Sequence, residues 1–149
     1  MFAKQMHHIA AGDASFDKQA ISWYNNGKGG VTMKENKLVE LSMDFSVDII
    51  NLVKFLKSNH ETIISNQIGK SGTSIGANIH EAQYAQGTKD FISKFEIALK
   101  EASETGYWLE LLYRTKYIGE QTFKVLSSKC TSLRVMLIAS YKTAKENAK

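Results

Sequence analysis

Three observations predict an all-α fold, an antiparallel up-down-up-down four-helix bundle. Proline is absent from all 149 residues, and helix interiors exclude it while loops and sheet edges use it freely. From Glu35 onward apolar residues recur at intervals of three and four in four successive blocks, the period of a helix with one buried face. The breaks between blocks are short and carry Asn59, Gly87 and Gly119, and short connections between long helices favour antiparallel neighbours. Apolar residues make up 43% and charged residues 23%. That balance belongs to a globular domain, not a disordered or fibrous chain, and the length suits one core.

The first block, 35–58, places Leu38, Leu41, Phe45, Ile49, Leu52 and Leu56 on one face, with Val39, Met43, Ile50 and Val53 forming a second apolar strip. Together they are wider than one packing seam requires, which suits either self-association or a thick core. Asn36 is the expected N-cap. The second block, 61–86, aligns Ile64, Ile68, Gly72, Ile75, Ile79 and Ala82 and stops at Gly87. Thr88 is expected to cap the third, with Asp90 near its positive end. In that block Phe91, Phe95, Ala98, Ala102, Thr105, Leu109 and Leu112 step by alternating fours and threes as far as Tyr117, a heptad seam. The fourth, 120–147, aligns Phe123, Leu126, Cys130, Leu133, Leu137, Tyr141 and Ala144.

Residues 1–33 show no sustained period and are rich in Gly, Ala, Ser and Asn, so they read as a loosely ordered extension before a helical domain of 34–149. Met33 follows "GKGGVT", and codons for the Gly-Gly pair suit a purine-rich ribosome-binding stretch; Met33 is therefore an alternative expected start. The pair His7-His8 in the extension could touch a metal, but sequence neighbours alone make no site. Cys130 has no second cysteine to pair with and falls in an apolar stripe, so it reads as core. No apolar run reaches bilayer length and no secretory hydrophobic segment opens the chain. A cytoplasmic location with no membrane partner is expected.

The stretch "GKSGTS", Gly69 to Ser74, resembles part of a phosphate-binding loop. That loop requires a glycine five residues before Gly69 and a preceding strand, whereas Ile64 stands there inside a helical stripe. The helical reading puts Gln67, Ser71, Ser74, Asn78 and Glu81 in a sector of roughly 80° beside the isoleucines. On the third block Ile97, Glu101, Glu104 and Trp108 form a corresponding stripe. Hydroxyls and amides of Ser71, Ser74 and Asn78 are thus expected to meet the carboxylates of Glu101 and Glu104 between helices, a structural polar network that fixes register. Trp108 and Tyr107 suit a bundle corner or an intersubunit contact. Catalytic or di-metal use of these carboxylates would need Glu-x-x-His on two helices. Beyond position 33 the histidines are His60 and His80, and Glu81 directly follows His80. No metal, cofactor or enzymatic activity is expected.

Charge is polarised although the net value is only +4. From Lys116 to the C-terminus seven Lys or Arg face only Glu120 and Glu146, whereas 61–115 holds five basic and seven acidic residues. On the fourth helix Lys124, Arg134, Lys142 and Lys145 share a sector of roughly 80°, with Lys116 and Lys149 in line if the helix reaches them and Lys129 elsewhere. Such a stripe could neutralise nucleic-acid phosphates, or it could simply be a solvated face. Aromatic residues do not interleave with these lysines on the wheel, so phosphate contact is expected over base reading.

The segments "NQIGKSGTSIGANIHEA" and "DFISKFEIALKEASETGYWLELL" resemble the four-helix-bundle proteins of the 23S rRNA intervening sequence protein family. The matching features are Ser71 with Thr73-Ser74-Ile75, Asn78-Ile79 followed by Glu81, Asp90-Phe91-Ile92, and Ala98-Leu99 leading to Glu104 and Tyr107-Trp108-Leu109. Lys70 stands where that family more often has Arg, and Ala82 where it often has Gly. The resemblance covers about 35–145. It implies a bundle that assembles as a homopentameric ring, encoded within large-subunit rRNA genes and without enzymatic activity. A related branch, the accessory variability proteins of diversity-generating retroelements, implies nucleic acid and a reverse transcriptase as partners. The expected function is an oligomer that binds RNA or DNA; the alternative is an adaptor for a polymerase, reverse transcriptase or ribosomal component.

Overall fold

The computed structural model describes residues 31–149, and these form four helices: α1 (Val31–Ser58), α2 (Ile63–Ala82), α3 (Thr88–Arg114) and α4 (Glu120–Asn147). The extension up to Gly30, with His7 and His8, lies outside the described residues. Each helix packs on its neighbour in sequence, and α1 also meets α4 more sparingly, which closes four helices around one core. The predicted stripes supply it: Leu38, Phe45, Ile49, Leu52 and Leu56 from α1, Ile68, Ile75 and Ile79 from α2, Phe95, Leu109 and Leu112 from α3, and Leu126, Leu133 and Leu137 from α4 are all buried.

Helix boundaries differ from expectation for identifiable reasons. Since α1 starts at Val31, Asn36 is an interior residue and not its N-cap. The chain leaves α1 through His60, which adopts φ 62°. There the His60 amide donates to Lys57 and the Glu61 amide to Leu56, the paired bonds of a Schellman turn. Lys116, at φ 63°, ends α3 in the same way, its amide donating to Tyr113 and that of Tyr117 to Leu112. This second turn stops α3 at Arg114 and not at Tyr117, and neither position carries the glycine or asparagine that usually marks such a turn in a sequence.

Glu61, just before the Thr62 N-cap position, caps the next helix with its side chain. Its two carboxylate oxygens accept the amides of Ile64 at 2.9 Å and Ser65 at 2.7 Å, and a buried anion there also meets the positive end of the helix. For α3, Gly87 occupies the N-cap position at φ 156°, leaving Thr88 as the first helical residue. Asp90 instead accepts the Gln86 amide at 3.2 Å.

Glycines on α2 bring it close against α1. A Cβ added at Gly72 would lie 2.8 Å from Cγ1 and 2.9 Å from Cγ2 of Ile49; at Gly69 it would lie 3.2 Å from Val53, and at Gly76 3.2 Å from the Ser46 hydroxyl. These glycines, spaced by three and four, therefore let two helix backbones approach. Replacing Gly72 by Ala forces the buried Ile49 to shift and should destabilise the fold by about 1–3 kcal/mol. Gly106→Ala in α3, where an added Cβ meets nothing within 4 Å, should stabilise by about 0.5–1 kcal/mol. Urea unfolding of both variants checks the pair, and equal stabilities would contradict the close approach.

Candidate nucleic-acid interface

The basic residues of α4 fall into three groups. Arg134 and Lys142 are exposed, and among the described residues no carboxylate forms an ion pair with either. Lys124 is tied to Glu120 one turn earlier at 2.6 Å; this hydrogen bond, with the accompanying attraction, raises the Lys124 pKa and lowers that of Glu120. Lys145 lies 4.6 Å above the Tyr141 ring, and the Tyr141 hydroxyl donates to Glu96 of α3 at 2.9 Å. Its pKa is raised, first by its hydrogen bond to Tyr141. Lys116 is not on the helix, because it serves as the left-handed residue that ends α3. Lys149 follows the last helical residue, Asn147. The expected stripe is thus shorter on α4, and two of its cations already have partners.

Lys129, which the wheel sets apart, pairs with Asp48 and so joins α4 to α1. Both groups are partly buried, and this cross-helix pair ties together two helices that pack on each other more sparingly than sequence neighbours do. Tyr113 at the end of α3 and Phe123 at the start of α4 stack with centroids 4.7 Å apart and planes 8° from parallel. The signal was present in the sequence, since these aromatics bracket the turn that carries Gly119, but a single-helix wheel cannot bring them together.

The expected polar network takes a different form. Ser74 donates to the Lys70 carbonyl at 2.7 Å and Asn78 to the Ser74 carbonyl at 2.8 Å, so both are satisfied within α2. Glu104 accepts from the Trp108 indole at 3.1 Å. Glu81 pairs across helices with Lys94 at 2.6 Å, a bond that raises the Lys94 pKa. Glu101 is half-buried, and burial first, with Glu104 nearby, raises its carboxyl pKa against the pull of Lys70. The correction has a simple cause: short polar side chains inside a helix reach the carbonyl one turn back more readily than a neighbouring helix. One cross-helix hydroxyl pair does form, Ser71 with Thr105 at 2.9 Å, while Thr105 also donates to the Glu101 carbonyl at 2.7 Å. A hydroxyl holds one proton. With that of Thr105 on the carbonyl, Ser71 donates to Thr105.

The sequence profile of the 23S rRNA-intervening sequence proteins matches residues 34–139. The chain belongs to that family. A solved protein of unknown function from the S23 ribosomal protein family of Bacteroides thetaiotaomicron is 50% identical, with 74% of this chain and 99% of that one covered at a TM-score of 0.72. No curated protein matches the chain. In this 23S rRNA-intervening sequence protein, no group of three or more His, Cys, Asp or Glu that could hold a metal occurs among the described residues. Nor is any described helix long and apolar enough to cross a membrane.

Cys130 is buried, its thiol 3.3 Å from the Ala102 carbonyl. Burial pushes its pKa from 9.0 up to about 11. The folded thiol therefore keeps its proton in a range where the unfolded one loses it, so stability falls as pH rises from about 9 to about 11. The fall should be about 2–3 kcal/mol steeper in the natural protein than in Cys130→Ala, which has no thiol to titrate. Urea titrations of both across that range provide the comparison; parallel pH profiles would contradict it.

Proposed function

We propose that this 23S rRNA-intervening sequence protein is a non-enzymatic, cytoplasmic, up-down-up-down bundle that self-associates as a ring of five and binds RNA or DNA by phosphate contacts from α4. The observation that carries self-association is the outer face of α1. Met43, Val47 and Ile50 are 60%, 53% and 44% exposed, and they share a helix sector nearly opposite the core residues Phe45, Leu52 and Leu56. A contiguous exposed apolar strip marks an interaction surface. The family resemblance in the sequence supports the number five.

Phosphate binding is supported by the exposed Arg134 and Lys142 and by the excess of cations after residue 115. The exposed Lys124–Glu120 pair contributes little stability, so a phosphate can replace Glu120. Repeated around a ring, these groups form a belt suited to sequence-independent, salt-sensitive binding. The same α1 strip supports a second reading, an adaptor whose partner is a reverse transcriptase, polymerase or ribosomal component.

Two measurements separate these readings. Met43→Asp with Ile50→Asp should convert the oligomer to monomer by light scattering while circular dichroism stays helical; a monomeric natural protein at micromolar concentration would contradict the ring. Substituting Lys124, Arg134, Lys142 and Lys145 by Gln should weaken binding to generic RNA and DNA and flatten its dependence on log salt by roughly 0.7–0.9 for each phosphate no longer neutralised. Binding that is absent, or unchanged by these substitutions, would reject the nucleic-acid reading and favour the adaptor.

A further inference from the structure

We infer that the corner between α3 and α4 is a stacking platform for an unpaired base, so that the nucleic acid held there is single-stranded. The inference rests on the proposed nucleic-acid binding and adds base contact to it. Tyr113 is exposed, whereas Phe123 behind it is half-buried and packs against the core. Their rings are 8° from parallel at 4.7 Å, so Phe123 backs Tyr113 and fixes its plane before any ligand arrives. Tyr117, in the connection between the helices, is exposed as well. Among the described residues neither phenol is hydrogen-bonded to protein.

The surrounding charge suits a strand lying across this ring. Lys116 is exposed and held by the backbone turn that ends α3, and among the described residues no ion pair engages it. Arg114 and Lys124 flank the aromatic pair, each joined only to a carboxylate on its own helix, Glu110 and Glu120, in exposed pairs. A phosphate can displace such pairs because they are strongly solvated. A base stacked on Tyr113 would therefore set its neighbouring phosphates among Lys116, Lys124 and Arg114. Because the ring is already oriented, stacking sacrifices little side-chain freedom. It also tolerates any sequence, since every base has a π face, and it selects against a duplex whose bases already stack on one another.

The test uses the full chain with fluorescent oligo(U), oligo(dT), an abasic phosphodiester of equal length and a duplex, followed by anisotropy at low salt. Base-bearing single strands should bind about tenfold more tightly than the abasic strand. Tyr113→Leu should remove that preference without changing abasic binding or its salt slope, and Tyr113→Phe should keep it. The oligo(U) and oligo(dT) arms distinguish RNA from DNA, and a preference in either supports the platform. Equal binding of abasic and base-bearing strands, or a preference that survives Tyr113→Leu, overturns the platform while leaving phosphate binding intact. Absence of binding to every oligomer overturns both. Should Tyr113→Leu fail to fold, the abasic comparison on the natural protein and the tyrosine ring shifts in its NMR spectrum on adding oligo(U) decide; unmoved Tyr113 resonances would overturn the platform.

Discussion

The close approach of α1 and α2 at Gly72 sets the rest of the bundle. Ile49 occupies the space that a Cβ at position 72 would need, so the two backbones lie closer than side chains on both helices would allow. Gly69 and Gly76 extend the contact along α2 toward Val53 and Ser46. With one face of α2 committed to α1, the neighbouring face carrying Ser71 and Ile75 turns toward α3. There Ser71 meets Thr105. The stretch that resembles a phosphate loop is thus a packing device, and its lysine, Lys70, remains exposed at the surface.

A tightly packed pair of helices can contain many hydroxyls only if each is satisfied locally. Ser42 donates to Val39, Ser46 to Ser42, Ser65 to Glu61 and Thr73 to Gly69, each to a carbonyl about one turn back. Among the described residues no buried side-chain nitrogen or oxygen lacks a partner. Small polar residues therefore fit beside the close approach of α1 and α2 that the glycines allow, without requiring a partner from the facing helix. Register is left to shape at Gly72, to the Ser71–Thr105 pair, and to the ionic links Glu81–Lys94 and Asp48–Lys129.

The core was legible because periodicity is a property of single helices. The heptad from Phe95 to Leu112 is buried at every step, and the isoleucines of α2 lie where the wheel puts them. Helix ends were less legible, since they depend on backbone turns. His60 and Lys116 take left-handed conformations that cost about 1–2 kcal/mol for such residues, and only the paired amide bonds around them reveal why the helices stop there. Glu61 as a cap was hidden for a related reason, because its long side chain reaches forward to amides that Ser, Thr or Asn usually engage from the N-cap itself. The candidate site was legible in part. Charge polarity along the chain identified α4, but which cations are engaged depends on Glu120, Glu96 and Asp48, two of them on other helices.

That difference between charge counted and charge accessible shapes the functional argument. Lys129 is drawn toward α1 by Asp48, and Lys145 sits on a tyrosine that also holds Glu96, so the acidic residues of α1 and α3 partly offset the basic end of the chain. Among the described residues Arg134 and Lys142 remain as exposed cations on α4 without an ion pair, and two such cations on one chain give only weak, salt-sensitive attraction to a polyanion. Repetition in an oligomer would multiply such contacts, because a bound strand reaches the next subunit at high effective concentration. The proposed self-association through the α1 strip and the proposed phosphate contact through α4 would therefore be coupled physically. A monomer with this surface would hold nucleic acid poorly, and a ring of the same surface would hold it well with no further cation on any subunit.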